Sequence, residues 1–255
     1  MPEVYDHPEY YEIAFSWRDI PAEVDLFEGC FNQYSKIRVK SVLEIGCGNS
    51  PHMEELISRG YTYHGFDLSD KMLEYSRQKL GKIGGKANLF RANMVDFKVE
   101  SKVDFAFIML GSLFATSTTD LNSHFESVAE ALNKGGLYLL DWCVQFEPPW
   151  ETRGGSSWEM ERNGIKVKTI VTWKPVNLAR QTFEENIVLD VDDHGKKITV
   201  SGKNIHRAIY PQEFKCYIGN HKKFEFVGWW NNWNLDKPLD FAGKIDRPII
   251  IIRRI

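Results

Sequence analysis

Val42-Leu43-Glu44-Ile45-Gly46-Cys47-Gly48-Asn49-Ser50-Pro51, followed by Phe66-Asp67-Leu68-Ser69, is the stretch that decides the fold of this 255-residue chain. The apolar run Val42 to Ile45 reads as a buried strand that breaks at Gly46-Cys47-Gly48. A helical pattern opens behind it, with Ser50 placed to cap the helix and Pro51 suited to its first position. Such a strand–glycine turn–helix unit lets a ligand approach bare backbone N–H groups near the positive end of a helix. A second strand, Tyr61 to Phe66, ends on Asp67, 21 residues beyond Gly46. There an acidic side chain grips a ribose diol in a nucleotide-type site. The competing reading is a glycine turn in an unrelated α/β protein, with Asp67 merely capping a helix.

A dinucleotide fingerprint needs a third glycine three residues after the second, and Pro51 stands there. Glu44, at the strand end, would repel a pyrophosphate but suits the cationic end of a ligand, directly or through water. At this point the chain resembles the class I S-adenosylmethionine-dependent methyltransferases, whose first motif is an acid-x-Gly-x-Gly pattern of this form. The resemblance implies S-adenosyl-L-methionine as cofactor, held by Glu44, Gly46, Cys47 and Gly48, with Asp67 on the ribose and Leu68 and Met72 beside it. Phe90-Arg91-Ala92-Asn93-Met94 matches the segment that reads the adenine edge. Asn93 replaces the usual Asp and keeps an acceptor oxygen without the charge. Val103 to Leu110 matches the fourth strand, with Leu110 at the cofactor. A helix over Leu121 to Leu132 is stopped by Asn133-Lys134-Gly135-Gly136 before the strand Leu137 to Asp141. The matches cover most of Ser41 to Asp141.

The implied fold is α/β: a Rossmann-like seven-stranded sheet with helices on both faces, its last strand antiparallel, plus an inserted antiparallel β subdomain. The expected layout is an N-terminal helical lid over 1–40, a cofactor-binding core over 41–146 and 211–255, and an inserted roof over 147–210. Composition agrees, at 43% hydrophobic and 26% charged residues, ordinary for a globular protein able to bury one sizeable core. A net charge of −3 supplies no electrostatic footprint for nucleic acid. Without a signal-like start or an apolar run long enough to span a bilayer, a cytoplasmic protein with no membrane partner is expected. Cys30, Cys47, Cys143 and Cys216 lack C-x-x-C spacing and read as reduced thiols. Cys47, the small residue inside the glycine turn, is expected to pack against the cofactor.

The aromatic segment Tyr10 to Asp19 precedes Ile20-Pro21 and an amphipathic helix with Val24, Phe27, Phe31 and Tyr34 on one face. This order looks like the small-molecule branch of the family, including glycine and amino-sugar N-methyltransferases. There an N-terminal Tyr and Arg close over the cofactor, roles that fall to Tyr11 and Arg18. A guanidinium grips a carboxylate with two parallel bonds; the alternatives are a packing aromatic and a solvated arginine. Beyond Pro148-Pro149 and a Gly154-Gly155 linker the pattern turns to period two. Ile165, Val167, Thr169, Val171 and Trp173 share one face, and Phe183, Ile187, Leu189 and Val191 share another. Asp192-Asp193-His194-Gly195 predicts a hairpin, with Ile198 to Ile209 returning.

Methyl transfer from a sulfonium is an in-line displacement for which positioning and desolvation supply most of the acceleration. A base is required only if the acceptor arrives protonated. Asp141, at a strand carboxyl end, is one candidate acceptor contact. Alternation along the returning roof strand turns Asn204, His206, Ala208 and Tyr210 one way and Ile205 and Ile209 the other. His206 and Tyr210 are therefore the other candidates, His206 having a suitable unperturbed pKa of about 6.5. A hydrogen-bonded structural histidine is the alternative. His7, His52, His194 and His221 offer no metal-ligand spacing. Of the eight tryptophans, no more than two are expected to face substrate, favouring an amine through cation–π attraction. The expectation is methyl transfer to a small-molecule acceptor, at nitrogen first and oxygen second. A non-catalytic S-adenosylmethionine-binding module is the reading from another class. The oligomeric state, monomer or homodimer, is open.

Overall fold

A computed structural model describes residues 3–151, 155–239 and 243–255; the expected Gly154 half of the linker lies outside them. In chain order the elements are a 3-10 turn (Glu3–Asp6), α1 (Pro8–Ala14), α2 (Ile20–Tyr34), β1 (Ser41–Ile45), α3 (Met53–Ser58), β2 (Thr62–Asp67) and α4 (Asp70–Ile83). Then come β3 (Ala87–Arg91), β4 (Val103–Ile108), α5 (Thr118–Ala131), β5 (Leu132–Asp141), β6 (Ser156–Arg162), β7 (Ile165–Asn177), β8 (Thr182–Asp193) and β9 (Lys196–Arg207). The chain closes with α6 (Pro211–Asn220), β10 (Phe224–Trp230) and β11 (Ile249–Arg254).

One sheet has seven strands in the order β10-β11-β5-β4-β1-β2-β3, and β11 runs antiparallel to both neighbours. The central strands are buried on both sides, as parallel sheets covered by helices must be. Leu43, Ile45, Ala106 and Ile108 face the layer holding Phe125 of α5 and Phe214 of α6. Val42, Phe105 and Phe107 face Phe27 of α2 and Leu56 of α3. Strand order reverses beside β1, whose neighbours are β4 and β2, so a crevice opens at the β1 and β4 carboxyl ends.

The four roof strands pair in sequence, β6-β7-β8-β9, all antiparallel. His194 and Gly195 turn the expected hairpin, both at positive φ (51° and 92°), as a tight two-residue turn demands. Packing redraws the expected lid. α2 buries Val24, Leu26, Phe27 and Cys30 in the core, whereas Val4, Ile13 and Ala14 pack with Val167, Leu189 and Val191 of the roof. By contact, the segment packed on the roof ends before Ile20, and α2 belongs to the core. Among the described residues no helix is long and apolar enough to cross a membrane.

Candidate active site

The crevice begins at the glycine turn. Gly46 and Gly48 both have positive φ, 65° and 51°, a conformation strained for any L side chain. A Cβ on Gly46 would lie 3.1 Å from the Met94 methyl, while the space beside Gly48 is open. Asp67 ties the turn to β2, accepting from Gly48 N at 2.9 Å and Ser69 N at 2.8 Å. Burial raises its pKa even against these backbone donors. Each carboxylate oxygen keeps further acceptor capacity for a diol. Leu68 stands 40% exposed next to it, with Met72 and Met94 buried behind. Asn93 uses its side-chain oxygen locally, accepting from Val95 N at 3.0 Å. The helix expected at Ser50-Pro51 starts only at Met53. Ser50 has φ 49° and its buried hydroxyl makes no hydrogen bond, so it turns the chain instead of capping a helix.

Glu44 lines the crevice, but both of its oxygens are engaged. Tyr63 donates to one, and His52 Nδ1 lies 2.8 Å from the other. His52 Nε2 lies 2.9 Å from Glu23, which also pairs with Arg18 and Arg247. Burial pulls the His52 pKa down, yet Glu44 and Glu23 outweigh it and raise the value. Glu44 keeps spare lone pairs and is oriented by His52 and Tyr63. Arg18 lines the crevice in its turn, committed to Glu23 and 3.0 Å from His52 Nε2.

Tyr11 and Glu12, on α1, form the outer wall of the crevice. Glu12 joins three parts of the molecule. It accepts from Lys79 at 2.8 Å and Tyr75 at 2.9 Å on α4, from Asn49 at 3.3 Å in the glycine turn, and from Arg162 at 2.6 Å on β6. Burial raises its pKa, but these donors prevail and hold it at about 2. With Glu44 and Glu12 beside Arg18, Lys79 and Arg162, the crevice suits a ligand tail carrying both an ammonium and a carboxylate.

A second cavity of ≈ 450 Å³ lies between core, roof and α1. It meets the crevice along Tyr11, Phe15, Leu110 and Ser112, which line both. Four tryptophans face it, Trp17, Trp142, Trp158 and Trp173, against the expected two at most. Trp230 instead packs in the core, and Trp233 donates to Asp141. His206, from β9, is buried on the cavity wall, stacked on Phe183 with centroids 5.1 Å apart and tilted against Phe114 at 4.7 Å. Its Nε2 makes no hydrogen bond; the nearest carboxylate oxygen, on Glu185, is 3.5 Å away. Burial raises the Glu185 pKa, but His206, Trp173 and Asn204 prevail and leave it below the ordinary value. Tyr5 and Tyr11 stand near the same carboxylate, and burial, the larger cause, drives both phenols upward.

Two expected acceptor contacts do not reach this cavity. Asp141 is fully buried, accepting from Leu110 N at 2.8 Å, Trp233 Nε1 at 3.1 Å and the Arg247 guanidinium at 2.7 Å. It pins the turn after β4, where Leu110 and Gly111 both have positive φ (54° and 68°), and so positions the wall between the two spaces. Tyr210 misses because β9 ends at Arg207 and alternation ends with it; Tyr210 instead precedes α6 as its cap residue. Ile205, expected on an apolar face, is 41% exposed. Glu185 escaped the sequence reading although a signal existed: it falls between Phe183 and Ile187 on a strand face that is otherwise apolar. Glu23 carries a similar signal, one turn before Phe27 on the buried side of α2.

Residues 42–136 match the family described as "Methyltransferase domain". The likeness to that family covers this stretch, a little over a third of the chain. A protein named as a methyltransferase in Geobacillus sp. (strain WCH70) is 28% identical over 110 residues, 43% of this chain and 44% of that protein. The dTDP-3-amino-3,4,6-trideoxy-alpha-D-glucopyranose N,N-dimethyltransferase of Streptomyces venezuelae is 26% identical over 139 residues, 53% of this chain and 56% of that one. The aligned stretches thus span about half the length of these relatives. Likeness of fold extends further. A S-adenosylmethionine-dependent methyltransferase from Clostridium acetobutylicum superposes with TM-score 0.76 at 17% identity, covering 96% of this chain and 95% of that one. Streptomyces venezuelae DesVI gives TM-score 0.73 at 18% identity, covering 98% of each chain. The methyltransferase domain and the roof therefore share one architecture with these structures from end to end.

Proposed function

We propose that the chain is a S-adenosylmethionine-dependent methyltransferase acting on the nitrogen of a small-molecule amine. The observation that carries this reading is the Glu185–His206 pair in an aromatic cavity that adjoins the crevice along Leu110 and Tyr11. Glu44, Gly46, Gly48 and Asp67 suit the nucleoside and its zwitterionic tail, with Cys47 and Leu110 packed alongside and Arg18 and Tyr11 at the lid. When bound, S-adenosylmethionine supplies an electrophilic methyl group: its sulfur–carbon bond breaks as the nitrogen–carbon bond forms, leaving a neutral thioether.

Glu185 offsets the cost of bringing an ammonium into an apolar space, and the tryptophan faces add cation–π attraction of roughly 0.5–2 kcal/mol each. An ammonium has no lone pair with which to attack, so its proton must leave first. His206 Nε2, which makes no hydrogen bond and lies 3.5 Å from Glu185, is the group placed to take it, and Glu185 stabilises the imidazolium that results. A hydroxyl acceptor brings no positive charge for the carboxylate to offset, which supports nitrogen over oxygen. A module that only bound cofactor would have no need of a second, aromatic cavity holding a carboxylate and a histidine. The test is a titration with S-adenosylhomocysteine, followed by a screen of amine, hydroxyl and carboxylate metabolites for methyl transfer. Binding with turnover on amines alone supports the reading. Turnover confined to hydroxyls, or NADH binding in place of S-adenosylhomocysteine, refutes it.

A further inference from the structure

His52 sits fully buried where the glycine turn leads into α3, and each of its ring nitrogens faces a carboxylate. Nδ1 lies 2.8 Å from Glu44 Oε1 on β1, and Nε2 lies 2.9 Å from Glu23 Oε2 on α2. Phe27 and Phe107 pack on the ring, with centroids 5.5 and 5.1 Å away. Among the described residues, the other charged or titratable groups here are three. Arg18 has Nη2 at 3.0 Å from Nε2, Tyr63 donates to the second oxygen of Glu44, and Arg247 donates to Glu23. A neutral imidazole has one N–H and one lone pair, so it satisfies only one of two carboxylates. An imidazolium donates to both.

The acceptor positions on the two carboxylates point the same way. A carboxylate accepts at about four positions. Glu23 takes Arg18 Nε and Arg247 Nη1 on one oxygen, and Arg18 Nη2 with His52 Nε2 on the other. An N–H on Nε2 completes it. Glu44 takes His52 and Tyr63, so acceptor positions remain toward the crevice it lines. Burial opposes a charge on His52, but the two carboxylates outweigh it. We infer that His52 is a positioning residue for the cofactor tail, held as an imidazolium between Glu44 and Glu23, and that ligand binding in the crevice is coupled to its proton. This rests on the cofactor reading above. When the proton leaves, a lone pair faces one of the carboxylates. Against Glu44 it turns away the acceptor of the ligand's ammonium. Against Glu23 it draws Arg18 onto Nε2 and away from the ligand's carboxylate. The bound ligand therefore favours the charged ring, so affinity is full below the His52 pKa and falls as pH rises through it.

The experiment is calorimetric titration of the full chain with S-adenosylhomocysteine, scanned from about pH 6.5 to about pH 9.5 in paired buffers of different ionisation heat. His52→Gln, which keeps a donor and carries no titratable proton, is measured alongside. The ligand's own amine titration, determined without protein, is subtracted. Across the scan, wild-type affinity should fall about tenfold relative to the variant, as one linked proton requires. Where it falls, the buffer dependence of the wild-type heat should show proton uptake on binding, a readout that stands even if His52→Gln does not fold. Parallel pH profiles, or no uptake beyond the ligand's own, overturn the inference while leaving cofactor binding standing. No binding at any pH overturns both.

Discussion

Two carboxylates, Glu44 buried in the crevice and Glu185 half-buried in the second cavity, are held in opposite ways. Glu44 is oriented by Tyr63 and His52, and through Glu23 the chain of contacts runs on to Arg247 and Asp141. Every link has a protein partner, as a side of the molecule dedicated to one ligand requires. Glu185 accepts from Trp173 and stands 3.5 Å from His206 Nε2, which makes no hydrogen bond, on a wall lined with aromatic rings. The core side is finished in the protein itself. The roof side is left for a ligand to complete.

That contrast can be broken most sharply at His206. As the proton acceptor, its replacement by alanine should lower turnover by ~10²–10⁴-fold with S-adenosylhomocysteine affinity unchanged; single-turnover assays and calorimetry check both. Unchanged turnover would make it a stacking residue. On the finished side the loss should appear in stability. Asp141→Asn leaves the Arg247 charge only half compensated and should cost about 3 kcal/mol, a fall of about 6–12 °C in melting temperature for a chain this long. Its turnover loss should be smaller than that of His206→Ala. A normal melting temperature with turnover abolished would return Asp141 to the acceptor.

Glu185→Gln keeps the shape and removes the charge. The amine's kcat/KM should drop about 10- to 100-fold, the worth of one charge-assisted hydrogen bond, mostly through KM. The smallest effect concerns Glu12, whose pKa is depressed from 4.5 to about 2. A depressed carboxyl stabilises the fold fully above its unfolded pKa and loses that contribution as pH falls through the folded one. Urea titrations should therefore show wild type more stable than Glu12→Gln above pH 4.5, with the gap closing toward pH 2. A gap independent of pH would mean the carboxylate does not hold α1 down.

The same contrast explains what was legible in the amino-acid order. Glu44, Gly46, Gly48 and Asp67 sit at fixed offsets from strands whose apolar runs announce themselves, so the sheet and crevice follow from local pattern. His206 was legible because period two puts it on an inward face. Tyr210 was not, because no periodicity tells where β9 stops, and its end depends on packing against α6. Asp141 was placed correctly along the chain and misjudged in role: its partners, Trp233 and Arg247, come from some 90 or more residues away. Glu23 and Glu185 interrupt apolar faces, a signal readable only when the exception is weighed as heavily as the rule.

One feature of α1 bears on how many methyl groups a single encounter delivers. Tyr11 and Phe15 border both spaces, and Glu12 fastens the helix that carries them. On the proposed reading, a spent nucleoside leaving past this helix would also unroof the amine. A doubly methylated product would then arise distributively, with free monomethylated intermediate accumulating early in a time course and competing with unmodified acceptor for re-entry.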